Sequence, residues 1–163
     1  MKPLIIYYSY DGHSDFIAKE LSRLLDADIL RIEPENEKKY SGFAKYFFCG
    51  MGALFKKNIL LKTNNEKIEE RETVIIGGPV WGGAPAPALC AFLKQTPLAA
   101  KKTGLFLCHL SKPGQAMQTL KSLIGEGTKL IAEADFINPD AKKTEAFKDK
   151  LDVFAGKIKN AIS

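Results

Sequence analysis

Leu4-Ile5-Ile6-Tyr7-Tyr8-Ser9-Tyr10-Asp11-Gly12-His13-Ser14 is the stretch that decides the fold. Its first five residues are a short apolar run of β-formers, as expected of a strand buried on both faces. A turn of small and polar residues follows at once. Beyond it Phe16, Ile17, Leu21, Leu24 and Leu25 fall on one helical stripe. Strand, tight loop and amphipathic helix in that order open a βαβ unit. The loop between them brings hydroxyls and backbone N–H groups to a helix N-terminus, where they converge on an anion. Ser9 and Ser14 can each donate a hydroxyl hydrogen bond to phosphate oxygens, although Ser14 or Asp15 could equally serve as a helix cap.

The same alternation continues outward. Ile29–Ile32 reads as a second strand ending at Glu33-Pro34, and Thr73–Ile76 as a third, stopped by Gly77-Gly78-Pro79. A helix from about Ala86 to Gln95 precedes the fourth strand, Gly104–Cys108. Another helix, from about Gly114 to Ile124, leads to a fifth strand at Lys129–Ala132 and its neighbours. A last helix runs from about Lys142 to Ile162. The expected fold is therefore α/β, a three-layer doubly wound five-stranded parallel sheet in the order 2-1-3-4-5. In that order ligands bind beyond the carboxyl ends of strands one and three, where the winding reverses. The 163 residues suit one domain over 1–163.

A second loop, Gly77-Gly78-Pro79-Val80-Trp81-Gly82-Gly83-Ala84-Pro85, lies at that reversal and carries the chain's only tryptophan. A large aromatic between glycines and prolines suits a platform for a flat aromatic ligand. The plainer alternative is that Trp81 covers neighbouring helices.

Taken together, the two loops resemble those of the flavodoxins and related FMN-binding oxidoreductases. The family's phosphate loop has the form [ST]-x-[TSR]-G-x-[TS], matched by Ser9–Ser14 except at Asp11. Its ring-flanking loop often reads G-x-P-V-[WY]-x-G, matched by Gly77 through Gly83. The resemblance covers essentially the whole chain. It implies FMN as cofactor, with Ser9, Gly12, His13, Ser14 and the backbone of Asp11 on the phosphate. Pro79, Val80, Trp81, Gly82 and Gly83 would then border the ring, and the loop from His109 to Gly114 would close its other side. That third loop lacks the glycine and aromatic pattern of classical flavodoxins.

Asp11 departs from the motif, since a carboxylate beside a phosphate costs energy unless it turns away. Asp15 adds to the repulsion, and a protonated His13 would offset part of it. Other ligands of this architecture fit poorly. Strand three does not end in the aspartate of a phosphoacceptor domain, and neither a G-x-x-x-x-G-K-[ST] loop nor a G-x-G-x-x-G fingerprint is present.

The net charge of +5 comes from 24 basic and 19 acidic residues and is concentrated in one segment. Lys38, Lys39, Lys45, Lys56, Lys57 and Lys62 fall in a stretch without any acidic residue. Within it, Phe43, Tyr46, Phe47, Met51, Leu54 and Phe55 have the spacing of a covering helix, with Gly50 and Gly52 weakening its continuity. The sharper alternative is an aromatic cover near the flavin whose lysines meet an acidic redox partner or an anionic small acceptor. Classical flavodoxins are acidic, so the resemblance does not carry over their docking mode. Neither a nucleic-acid partner nor a membrane span is expected. Cys49, Cys90 and Cys108 are dispersed and only two histidines occur, so neither a disulfide framework nor a metal site is expected, and the reading is cytoplasmic. No residue stands out as a nucleophile, and His109 and Tyr10 are the candidate proton donors. Two functions stay open: an electron-transfer flavodoxin, or an NAD(P)H-dependent FMN oxidoreductase reducing quinones or similar acceptors.

Overall fold

The computed structural model describes residues 1–35, 59–63, 66–99, 101–140, 142 and 144–163. The covering helix expected between Ser41 and Lys57 lies outside the described residues, as does most of the lysine-rich segment.

Eleven elements follow in the described chain: β1 (Leu4–Tyr7), α1 (His13–Leu25), β2 (Asp28–Arg31), α2 (Glu66–Glu69), β3 (Thr73–Trp81), β4 (Ala84–Pro85), α3 (Pro87–Gln95), β5 (Lys102–His109), α4 (Ala116–Leu123), β6 (Lys129–Ile137) and α5 (Thr144–Ile162). The sheet order is β2-β1-β3-β5-β6, all parallel, with β4 pairing antiparallel to β3. The five long strands keep the expected order, and the short β4 is an addition to it. The register places Leu4 between Asp28 and Val74, and Pro79 beside Cys108.

Strand alternation divides the core into two layers. Leu4, Ile6, Val74, Ile76, Leu105 and Leu107 face α3 and α4, meeting Leu89, Phe92 and Leu120. Ile5, Tyr7, Ile75, Phe106 and Cys108 face α1 and α5, meeting Ile17, Leu21, Phe154 and Ile158. The central strands β1 and β5 are buried almost throughout, while the edge strands β2 and β6 keep exposed positions. This is why the central strands read as continuous apolar runs and Lys129–Ile137 as an alternating one.

One boundary differs from the expectation. Gly77-Gly78-Pro79 does not stop the third strand; β3 runs through it to Trp81. The glycines sit in the strand because neighbouring side chains occupy the space their own would need. A Cβ at Gly77 would enter the Phe106 ring, and one at Gly78 would lie 3.0 Å from Leu89 Cδ2. Proline is tolerated at 79, and its carbonyl accepts the Ala86 N–H at 3.0 Å.

Helix α1 begins without a capping side chain on Gly12, whose φ of 98° turns the strand into the helix. It ends at Asp26 in the left-handed region, where the Ala27 and Asp26 N–H groups both close on Ser22 O. Helix α3 starts on Pro87, which fits a first-turn position because it has no N–H to leave unsatisfied there.

Gly77→Ala is expected to destabilise the protein by about 1–3 kcal/mol through overpacking against Phe106. Urea unfolding measures this, and Phe106→Leu in the same chain should restore part of the loss.

Candidate functional site

The loop after β1 is organised by one side chain. Ser9 is 1% exposed, and its Oγ accepts hydrogen bonds from the Gly12 and Asp15 N–H groups, each at 3.2 Å. The serine expected to grip a phosphate is thus first a scaffold, with its own O–H still able to donate. The first bond of α1 runs from Phe16 N–H to Gly12 O at 2.9 Å. The N–H groups of His13 and Ser14 therefore have no acceptor inside the helix and carry the positive end of its dipole. Ser14 is 1% exposed, and its Oγ has no hydrogen-bond partner among the described residues. Burial pushes the adjacent Cys108 thiol up to about 12, with the Ser14 hydroxyl opposing the rise.

Both acidic residues of this loop are engaged. Asp15 accepts the Tyr7 hydroxyl at 2.6 Å and pairs with Lys19 at 2.7 Å. Partial burial pushes its carboxyl up, but the bonds from Lys19 and Tyr7 outweigh that and hold it below its ordinary range. Asp11 Oδ2 lies 3.9 Å from His13 Nε2. The His13 Nδ1 donates to the Pro139 carbonyl, so the ring is anchored to the chain just beyond β6 with its other nitrogen towards Asp11.

The second expected loop is a hairpin. Val80 pairs with Pro85 and Trp81 with Ala84, leaving Gly82 and Gly83 as the turn, with φ of 58° and 79°. Two successive positive φ values explain why both positions are glycine. Trp81 is half-buried, and its ring meets Tyr8 and Tyr10 edge-on at centroid distances of 5.9 and 5.5 Å. It packs against the core layer that faces α3 and α4 and keeps part of its surface open.

The third loop is locked to the second through backbone. Gln115 N–H donates to Gly83 O at 2.9 Å, and a Cβ on Gly114 would lie 2.6 Å from Gly83 Cα. His109 is 5% exposed; its Nε2 is 2.8 Å from Asp135 Oδ2. Ser9, Asp11, Gly12, His13 and Ser14 thus share one loop, Pro79 to Gly83 lie on the adjacent hairpin, and His109 is beneath the loop that packs on it.

Several supporting residues were not singled out from sequence. Arg31, the last residue of β2, donates to Ser9 O at 2.9 Å and fixes the loop from its outer side. Its charge beside the apolar Ile29-Leu30 pair was the available signal. Beside it, Tyr8, Ser9, Arg31, Glu33, Pro34 and Lys62 line a cleft of about 190 Å³. Asp135 and Pro139 lie 26 and 126 residues along the chain from the histidines they hold and gave no local signal.

Asp15 and Asp135 both have carboxyls held below the ordinary value of 3.8. The stability they confer is therefore complete above that value and is lost as pH falls below it. Asp15→Asn should lower the melting temperature at neutral pH and flatten the acid limb of the melting curve, with the difference from wild type vanishing at the acid end.

No family model matches the sequence, and no curated protein matches it either. Solved structures do. A chain from Bacteroides eggerthii DSM 20697, itself a proposed flavoprotein, superposes with a TM-score of 0.74 at 21% identity, over 94% of this chain and 98% of that one. A flavoprotein from Lactobacillus acidophilus NCFM in complex with FMN gives 0.67 at 18% identity, over 92% and 97%. Flavodoxin 2 from Bacillus cereus gives 0.60 at 20% identity, over 96% and 99%. At such identities the likeness establishes architecture, and the chain has the flavodoxin fold.

Proposed function

We propose that this protein binds FMN across the loops after β1, β3 and β5 and acts in electron transfer or oxidoreduction. The observation that carries this reading is Ser14 Oγ, a buried hydroxyl without a hydrogen-bond partner among the described residues, placed in the first turn of α1. Such a group asks for an anionic acceptor, and a phosphate at a helix N-terminus supplies one. Gly12 fits the same demand, because no described atom lies within 4 Å of where its Cβ would stand. Trp81, with Tyr10 beside it, offers the flat apolar surface that the ring of a flavin needs one hairpin away.

When bound, the flavin would supply the electron-carrying chemistry. The chain's part is to bind, orient and shield. Ser14 with the His13 and Ser14 N–H groups would hold the phosphate, with Ser9 shaping the loop around it. Trp81 and the Gly82-Gly83 turn would border the ring. Tyr7 and Lys19 draw the Asp15 charge away from the phosphate, which reduces the repulsion expected from that residue. The electron partner is proposed to be a redox protein or a small acceptor, with an acidic surface suiting the lysine-rich segment.

The second reading, an NAD(P)H-dependent FMN oxidoreductase acting on quinones or similar acceptors, is favoured by the His109–Asp135 pair near the third loop. Proton-coupled reduction of a small acceptor uses such a pair, and a pure electron carrier does not need one.

The test uses FMN and riboflavin, which differ by the phosphate. Flavin fluorescence quenching should show FMN binding. Ser14→Ala should raise the FMN Kd roughly tenfold and leave riboflavin unchanged, the effect of one lost hydrogen bond to a charged group. Trp81→Ala should weaken both ligands. No binding of either flavin would overturn the proposal. Stepwise reduction of the loaded protein in two one-electron stages would favour the carrier, and direct bleaching by a nicotinamide, with quinone consumption, the enzyme.

A further inference from the structure

His109 ends β5 and is held through both its backbone and its side chain. Its carbonyl accepts the Asn138 N–H at 2.6 Å, and its Nε2 meets Asp135 Oδ2 at 2.8 Å across the neighbouring strand. The second Asp135 oxygen accepts from Lys150 Nζ at 3.2 Å. Burial pushes the Asp135 carboxyl up, but the bonds from His109 and Lys150 hold it below its ordinary range, so it is ionised at neutral pH.

An ionised carboxylate only accepts, so the hydrogen between the two groups belongs to the imidazole. In the neutral ring this places the proton on Nε2 and leaves a lone pair on Nδ1. That Nδ1 is buried and has no hydrogen-bond partner among the described residues. A buried acceptor without a donor is costly and uncommon in a folded protein. Its place gives the omission a direction. The residues that follow, Leu110, Ser111 and Lys112, are all exposed, so His109 lies one residue below the surface. The same loop then packs its Gly114 backbone against Gly83, in the hairpin that carries Trp81.

We propose that Asp135 is a positioning residue which, by holding His109 through Nε2–H, presents Nδ1 as a fixed hydrogen-bond acceptor for the imide N–H of the bound flavin ring. This rests on the flavin reading above and adds to it a ring-recognition contact on the third loop. The imide is the one N–H that an oxidised flavin ring offers, and a neutral imidazole nitrogen is a good acceptor for it.

Nitrogen-15 NMR of the histidine side chains, with FMN and an imide-N-methylated FMN as ligands, tests the assignment. In the ligand-free protein at about pH 8, His109 is expected as the Nε2–H tautomer. FMN should move the Nδ1 resonance, whereas the methylated flavin should bind roughly tenfold more weakly and leave Nδ1 in place. Asp135→Asn, which can accept from or donate to Nε2, should mix the tautomers. It should raise the FMN Kd by a similar factor and leave the Kd for methylated FMN unchanged; its melting temperature monitors folding. If that variant does not fold, the two ligands on the wild-type protein still decide. A His109 found as the Nδ1–H tautomer, an Nδ1 resonance indifferent to FMN, or equal affinity for the two flavins would overturn the proposal while leaving the flavin reading intact. Failure of both flavins to bind would overturn the two together.

Discussion

Burial of the middle strands on both faces is the constraint on which the rest of this structure depends. Leu4 to Tyr7 have at most 3% of their surface exposed, so every side chain of β1 needs a partner above or below the sheet. Two helical layers supply those partners, α1 and α5 on one face and α3 and α4 on the other. A chain that must cover both faces has to reverse its winding, and it does so between β1 and β3. The reversal parts the two following loops and leaves a crevice at the strand ends. The candidate site therefore follows from the packing that stabilises the fold.

The crevice is kept in shape by side chains that bond to loop backbone and by one close backbone approach. Ser9 Oγ gathers the first loop, Arg31 ties that loop to β2, and the Gly83–Gly114 approach joins the second loop to the third. The carboxyl end of β6 contributes at both sides of the site. Asp135 and Asn138 hold His109, while Pro139 holds His13. Both histidines of the chain are thus oriented by one segment that no motif marks. A short loop cannot orient an imidazole alone, and the last strand of the sheet is near enough to do it.

Much of this was legible in the residues themselves. Leu4-Ile5-Ile6-Tyr7 and Gly104-Leu105-Phe106-Leu107 are uninterrupted apolar runs because their strands are covered twice, and the stripe through Ile17 and Leu21 marks the helix that covers one of those faces. The positions of the phosphate-type loop and of the Trp81 segment followed from strand order. Gly77 and Gly78 misled, because glycine usually punctuates a strand. Here Phe106 and Leu89 fill the room their side chains would take, and the strand continues. That relation spans nearly thirty residues in the first case and has no local trace.

The sequence by itself determined the strand order, the place where the winding reverses, and the residue types delivered to that place. These depend on periodicity and on turn chemistry, which act over a few neighbouring residues. Tertiary structure alone decided what each delivered group does. Ser9 is turned inward as a scaffold, Asp15 is occupied by Tyr7 and Lys19, and Ser14 Oγ is left without a partner among the described residues. His109 is held by a carboxylate 26 residues away. Whether a polar group is free or engaged depends on which neighbours the fold brings within about 3 Å. That is a property of packing, and no window of sequence contains it.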